Sequence, residues 1–594
     1  MRPALAAILL LSAAASAAGS ELSLARDRVA AVQSGSLTFA SDGSVVLKSR
    51  SAEYSSGFRL LPPPGKTSFD LSTARYLAAD IESLADHQQR LCLQIKAAEG
   101  DAYAGIAIDP GEKATVKLHL PHADIYSSPS GAKSVRTLDT HSITSVAFLV
   151  MWPYEGQFSG LLNCRVSNVR LVGAPDFARH VQAAWYMPFV DRFGQFAHGN
   201  WKHKVKSYDE LRADLADERG RLRAAPGAWD EYGGWADGPQ LEATGSFRTE
   251  KVDGKWWFVT PSGHLFYSLG INVVKADSDA PNGNAHPEWY ETKAESAMSF
   301  PTWNLREKFG KTDFRSEYYD FVLRRFDSWG VNTIGNWSDG DLTKLGRKPY
   351  VLTAVSKPSG LPYLSGGGFY DTLDATFADK MKAAVSNALS VAGSAAARAA
   401  TDPMCIGFFI DNELSFPADS AYYEPYFKAC REAIAAAAPA RLYLGCRFKS
   451  LRNSAALWNA AAKWCDVVSV NSYVNSVAVF TDGDYAAPKF DRPVLHSEFH
   501  FGTLHRGMFS AGLCPVGDQC ERGRNFRRVV EGALRHPLFV GSHWFQYRDQ
   551  PLVGRGDGEN YQIGFVDVCD RSYHKLAEAS RAVGETMYAI RSGE

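Results

Sequence analysis

Between Glu21 and about Gly173, apolar and polar residues alternate in short runs separated by turn formers, at 36–40, 44–48, 76–81, 91–95, 114–120, 143–150 and 164–171. Period-two alternation at this spacing predicts antiparallel strands stacked as a β-sandwich. A mixed stretch follows, with a polar helix expected at 208–224 and a loop rich in glycine and tryptophan at 233–239. Beyond Gly263 the pattern changes to strands alternating with helices. Strands are expected at 265–274, 331–335, 350–355, 406–410, 442–446, 467–471, 493–497 and 539–545. Helices are expected at 313–329, with Thr312 as its cap, and at 377–400, 422–437, 451–464, 525–534 and 573–588. Eight strand units interleaved with helices predict a (β/α)8 barrel. The expected organisation is a leader at 1–18, a jelly-roll-like β-sandwich at 19–175, a connector at 176–250 and a TIM barrel at 251–594.

Length supports several cores, since 594 residues exceed what one hydrophobic core usually holds. The net charge is −1 and the charges are interspersed. This lacks the basic footprint of a nucleic-acid binder or of a protein that binds anionic membranes, so a neutral partner is expected. Arg2, the apolar run from Ala4 to Ala15 and the small residues Ala15-Ser16-Ala17 read as a cleavable signal peptide, with export in a soluble form. No later apolar run approaches the roughly 20 residues of a membrane-spanning helix. Nine cysteines leave at least one unpaired; Cys514 and Cys520 are the best candidate pair, while Cys405, Cys446 and Cys465 read as buried apolar fillers.

The chemistry is expected at the strand ends. The buried run Ile406–Ile410 leads into Asp411-Asn412-Glu413, and Pro493-Val-Leu-His-Ser leads into Glu498. Polar and aromatic residues occupy the other ends: Asn272, Asn336 and Trp337, Arg447, Asn471 and Tyr473, His500, Trp544 and Gln546. Barrel strands converge these positions on one face, and two carboxylates there meet the requirement for cleaving a glycosidic bond. Aromatic faces and planar polar groups suit sugar C–H surfaces and hydroxyls. Taken singly, each Trp or Asn reads as readily as core or turn. His496-Ser-Glu-Phe-His500 does not match the HExxH metal pattern, and no metal or cofactor is expected.

Gly407-Phe-Phe-Ile-Asp-Asn-Glu-Leu-Ser, Ser497-Glu-Phe-His-Phe-Gly, the segment from His543 to Asp567 and Pro188-Phe-Val-Asp-Arg-Phe-Gly-Gln together resemble glycoside hydrolase family 50, the β-agarases, within the retaining enzymes of clan A. The resemblance covers about 185–590. It implies Glu413 as acid/base, Glu498 as nucleophile and a carboxylate separation of roughly 5 to 5.5 Å. It further implies that Asn412 binds the sugar 2-hydroxyl, that Tyr473 orients Glu498, and that Asp557 and Glu559 close one end of the cleft. The implied activity is hydrolysis of β-1,4 linkages in agarose from a chain end, releasing neoagarobiose. A clan A β-galactosidase, a hydrolase of another galactan and an inactive galactan-binding protein are the alternatives. The sandwich fits either a carbohydrate-binding module or a structural companion.

Overall fold

A computed structural model describes residues 21–49, 56–98, 100–120, 138–150, 162–175, 187–277, 287–292, 299–449, 453–477 and 491–593. The expected leader lies outside the described residues.

The N-terminal region carries β1 (Val29–Val32), β2 (Gly35–Phe39), β3 (Val45–Ser49), β4 (Gly57–Leu60), β5 (Tyr76–Ser83), β6 (Gln89–Lys96), β7 (Asp101–Ile108), β8 (Lys113–His119), β9 (Ser145–Val150) and β10 (Asn163–Val172). They form two five-stranded sheets, ordered β1-β4-β9-β6-β7 and β2-β3-β10-β5-β8. Leu47, Ile81 and Val166 from one sheet and Phe58, Leu93 and Phe148 from the other are buried in a common apolar cluster. The strand β7 was not expected, because its alanines and glycine blur the alternation.

Helix α1 (Tyr208–Arg221) starts where expected; the hydroxyl of Ser207 accepts the Glu210 N–H at 3.2 Å as its N-cap. Strands β11 (Arg248–Val252), β12 (Lys255–Val259) and β13 (Leu265–Phe266) then make a small antiparallel sheet. The strand expected at 265–274 is therefore divided, and only β14 (Ser268–Ile271) enters the large sheet.

That sheet continues through β15 (Thr333–Ile334), β16 (Tyr350–Val355), β17 (Cys405–Ile410), β18 (Leu442–Tyr443), β19 (Val468–Asn471), β20 (Val494–Phe499) and β21 (Phe539–Trp544). Its paired neighbours are parallel and follow chain order, with β14 beside β21. Past β18, the Phe448 N–H donates to the Ser469 carbonyl at 2.9 Å and the Phe448 carbonyl accepts the Asn471 N–H at 2.8 Å. These bonds bring the two outer strands together, so the sheet curls into a barrel-like form.

Between and after the strands run α2 (Phe300–Phe309), α3 (Arg315–Trp329), α4 (Gly340–Thr343), α5 (Phe377–Ser390), α6 (Ala395–Ala399), α7 (Tyr423–Ala437), α8 (Ala455–Trp464), α9 (Gln519–Arg535) and α10 (His574–Ser592). Three expectations are corrected. The helix expected at 377–400 is broken near Gly393, whose left-handed φ of 77° interrupts the helical path. Phe314, not Thr312, occupies the cap of α3, with no side-chain cap bond. No disulfide joins Cys514 to Cys520: Cys514 is buried while Cys520 is exposed on the first turn of α9. Among the described residues, no helix is long and apolar enough to cross a membrane.

Candidate active site

Every residue of β17 is buried, so the polar residues that follow it must be accommodated by a sharp turn. Asp411 and Glu413 both adopt left-handed backbone conformations, with φ of 64° and 52°. Val273, Trp337 and Arg447, just past β14, β15 and β18, do the same at 57°, 63° and 54°. Such conformations are costly for residues with a Cβ and persist where the surroundings enforce them. Asp411 provides one such constraint: it accepts the Lys357 N–H at 2.6 Å and the Tyr370 and Tyr426 hydroxyls at 2.9 Å each. Burial pushes its carboxyl above the usual range. The Glu413 N–H is directed at the carbonyls of Cys446, at 3.3 Å, and Arg447, at 3.2 Å, fixing its backbone beside the end of β18.

Strand β20 supplies the second carboxylate. Arg447 Nη2 donates to Glu498 Oε1, and the Tyr473 hydroxyl donates to Oε2 at 2.6 Å. Asn471, paired with Glu498 in the β19–β20 ladder, donates from Nδ2 to Glu413 Oε1 at 2.8 Å and to Asn412 Oδ1 at 3.3 Å. Arg447 Nε donates to the same Asn412 oxygen at 2.8 Å. Glu413 and Glu498 thus share one hydrogen-bonded network through Asn471, Asn412 and Arg447.

The two carboxylates have different surroundings. Burial raises the Glu413 pKa, and the negative charge of Glu498 raises it further, against the Asn471 hydrogen bond and the charges of Arg447 and Lys449. Glu498 instead meets a guanidinium and a phenol. Burial and both carboxylates push Tyr473 well above its ordinary value, so its hydroxyl stays a donor.

The other expected site residues divide into two groups. Asn272 is buried and donates to the Ser497 carbonyl at 2.9 Å; Asn336 is buried and exchanges hydrogen bonds with Thr353 at 2.9 and 3.1 Å. Arg447, Asn471 and His500 are also buried. Trp544 is corrected as a sugar platform. Its ring is enclosed by Phe499, Phe526 and Phe565, and its Nε1 donates to the Ile563 carbonyl at 2.7 Å. The Gln546 amide turns back onto the Arg548 carbonyl at 2.8 Å.

Trp337 is half-buried, with its ring 6.0 Å from the Arg447 guanidinium carbon. Asp557 is exposed and paired with Arg555; Glu559 accepts from Gln550 at 2.8 Å and Arg555 at 2.9 Å. Burial raises the Glu559 pKa against the Arg555 charge and the Gln550 hydrogen bond. Sequence reading missed Ser497, whose hydroxyl donates to Asn471 Oδ1 at 2.8 Å, and the anchoring role of Asp411. Position alone gave no signal for the former. The latter was visible as a carboxylate directly after a wholly apolar strand.

A barrel-like parallel sheet with two linked carboxylates past its strand ends, one of them biased toward the protonated form, is the arrangement of a glycoside hydrolase. No family model matches the chain. β-Agarase B of Vibrio sp. (strain JT0107) is 26% identical, the alignment covering 87% of this chain and 68% of that protein. β-Agarase A of the same strain is 27% identical over 78% of this chain, which spans 58% of its length. Among solved structures, PfGH50B aligns with a TM-score of 0.72 and 23% identity, covering 95% of this chain and 98% of its own. An exo-β-agarase aligns with a TM-score of 0.70 and 23% identity, covering 96% and 98%. In sequence the chain is similar to these β-agarases, and it shares the fold of the two solved structures.

Proposed function

We propose that the chain hydrolyses β-1,4-galactosidic linkages of agarose or agaro-oligosaccharides with retention of configuration, from a chain end and with release of neoagarobiose. The observation that carries the reading is the asymmetry of the carboxylate pair: the pKa of Glu413 is raised, whereas Glu498 is held at both oxygens by Arg447 and Tyr473. Protonated Glu413 donates its proton to the leaving oxygen as Glu498 attacks the anomeric carbon. The covalent glycosyl-enzyme forms while the leaving chain departs as an alcohol. Glu413, now a carboxylate, takes a proton from water, which attacks the same carbon and releases Glu498. Asn412 Oδ1 is occupied by Arg447 and Asn471, leaving its Nδ2 as the donor for the sugar 2-hydroxyl.

Half-buried Trp337 suits a sugar face. The loop bearing Asp557 and Glu559 is assigned to closing one end of the cleft, the basis of the chain-end reading. The N-terminal region is read as a jelly-roll module at 19–175, joined through 176–250 to the catalytic barrel at 251–594, in a protein exported by its leader. The test is incubation of purified protein with agarose and sizing of the products, with Glu498→Ala as control. Disaccharide released by the wild type and absent in the variant supports the reading. Hydrolysis of a chromogenic β-galactoside without any product from agarose would replace it with the β-galactosidase alternative.

A further inference from the structure

The N-terminal sandwich touches the barrel at the loop that follows Glu498. Lys117 on β8 donates to Asp518 Oδ2 at 2.7 Å, while Oδ1 of the same side chain accepts the Glu521 N–H at 2.9 Å as the N-cap of α9. Arg528 on α9 is paired with Glu112 at 2.8 Å, and the Tyr76 hydroxyl lies 2.9 Å from His505 Nε2. The Gly105 N–H donates to the Pro515 carbonyl at 3.4 Å. At Gly517 the backbones are so close that a Cβ would lie 2.6 Å from the Lys117 carbonyl oxygen. The seam is fitted.

The same loop reaches the catalytic centre from its other side. Its base is laced by the Gly502 N–H to the Cys514 carbonyl at 3.1 Å, the Val516 N–H to the Gly502 carbonyl at 2.8 Å and the Thr503 hydroxyl to the Gly517 carbonyl at 2.9 Å. The Leu513 N–H donates to His500 Nε2 at 2.9 Å, which makes that nitrogen an acceptor and places the proton of the neutral ring on Nδ1. The His500 and Tyr473 rings lie 4.5 Å apart between centroids, and Tyr473 holds Glu498.

We infer that the N-terminal sandwich is a positioning element of the active site: by seating residues 502–518 it fixes His500, and through the Tyr473 ring it sets the orientation of Glu498. His500 and Lys117 are positioning residues that act on Glu498 through others. The role assigned to Glu498 rests on the proposed hydrolase reading; the mechanical link does not.

The test uses the full chain with Lys117→Met and Lys117→Arg, followed by amide hydrogen exchange and by kinetics on an agaro-oligosaccharide. Lys117→Met should accelerate exchange at Leu513 and in the peptides carrying Tyr473 and Glu498. It should also lower kcat about five-fold, at the small end of coupling between distant sites, with KM within about two-fold. Lys117→Arg should restore both. Acceleration confined to the seam, or faster exchange throughout with unchanged kcat, would overturn the inference. If the wild type proves inert on the oligosaccharide, the hydrolase reading fails. Exchange at the Tyr473 and Glu498 peptides then decides the mechanical link alone.

Discussion

The Arg447 guanidinium and the Glu498 carboxylate form an ion pair in which the side chains are 0% and 6% exposed. Removing the guanidinium would leave a carboxylate with little water and one remaining donor, Tyr473. Arg447→Met is expected to destabilise the protein by about 3–5 kcal/mol, the usual cost of stranding one partner of a buried pair, as read by denaturant unfolding. Arg447→Lys keeps the charge but cannot span both Asn412 and Glu498. It should recover most of the stability while lowering kcat about ten-fold. Wild-type kcat in the lysine variant would show that charge without the fork is sufficient.

The raised pKa of Glu413 has two causes that a substitution separates. Glu498→Gln removes the neighbouring charge and leaves burial in place, so Glu413 should titrate lower in the variant than in the wild type. Infrared spectroscopy with isotope-labelled glutamate follows that carboxyl directly. An unchanged titration would assign the shift to burial alone.

Glu413 is also expected to make the fold less stable than it could be. A carboxyl whose native pKa is raised has no differential cost below its unfolded value, about 4.3, where both states are protonated; the cost grows as pH rises through the native value. Glu413→Gln should therefore melt at a higher temperature than wild type at pH 7, with the gain shrinking toward pH 4. Calorimetry across that range reads the difference. A gain that stayed constant with pH would reject titration as its cause.

Asp570 stabilises the segment beyond β21. Both its oxygens accept from Arg325 at 2.9 Å, Lys308 donates at 2.9 Å, and Arg548 lies 3.6 Å away. Burial opposes ionisation, but these cations outweigh it and hold the pKa well below the usual carboxylate range. Asp570→Asn should cost about 3–5 kcal/mol at pH 7 in equilibrium unfolding. Because the native pKa is depressed, the wild-type advantage should persist at pH 5 and decline only below about 3.9, the unfolded value. Loss of the advantage already between pH 7 and 5 would point to another group.

Strands β17 and β20 were legible because a strand buried on both faces must be apolar throughout, so the first charges after Ile410 and the charge at Glu498 stood out. Strands such as β15 and β18, each of two residues, carry little pattern of their own and emerged from the series. Side-chain direction was not legible. In β21, His543 bonds Ser268 across the sheet while Trp544, one residue on, packs against Phe526 of α9; a shift of one position decides whether a residue faces the barrel or its helical coat. His500 stands out in the sequence only as a residue past a strand end; its contacts with the Tyr473 ring and the Leu513 N–H are visible only in the fold. The partner 13 residues away in a loop had no signature. Cys514 and Cys520 suggest a pair through the short loop-like segment between them, whereas one is buried and the other sits exposed at a helix start.

In the proposed reaction Glu498 attacks the sugar carbon while Glu413 exchanges the proton. The decisive measurement is proton NMR of the first product formed from an agaro-oligosaccharide, recorded before mutarotation. Two successive displacements predict a β-anomer that later relaxes to the equilibrium mixture. An α-anomer appearing first would mean a single displacement by water and would contradict the assignment of Glu498 as nucleophile.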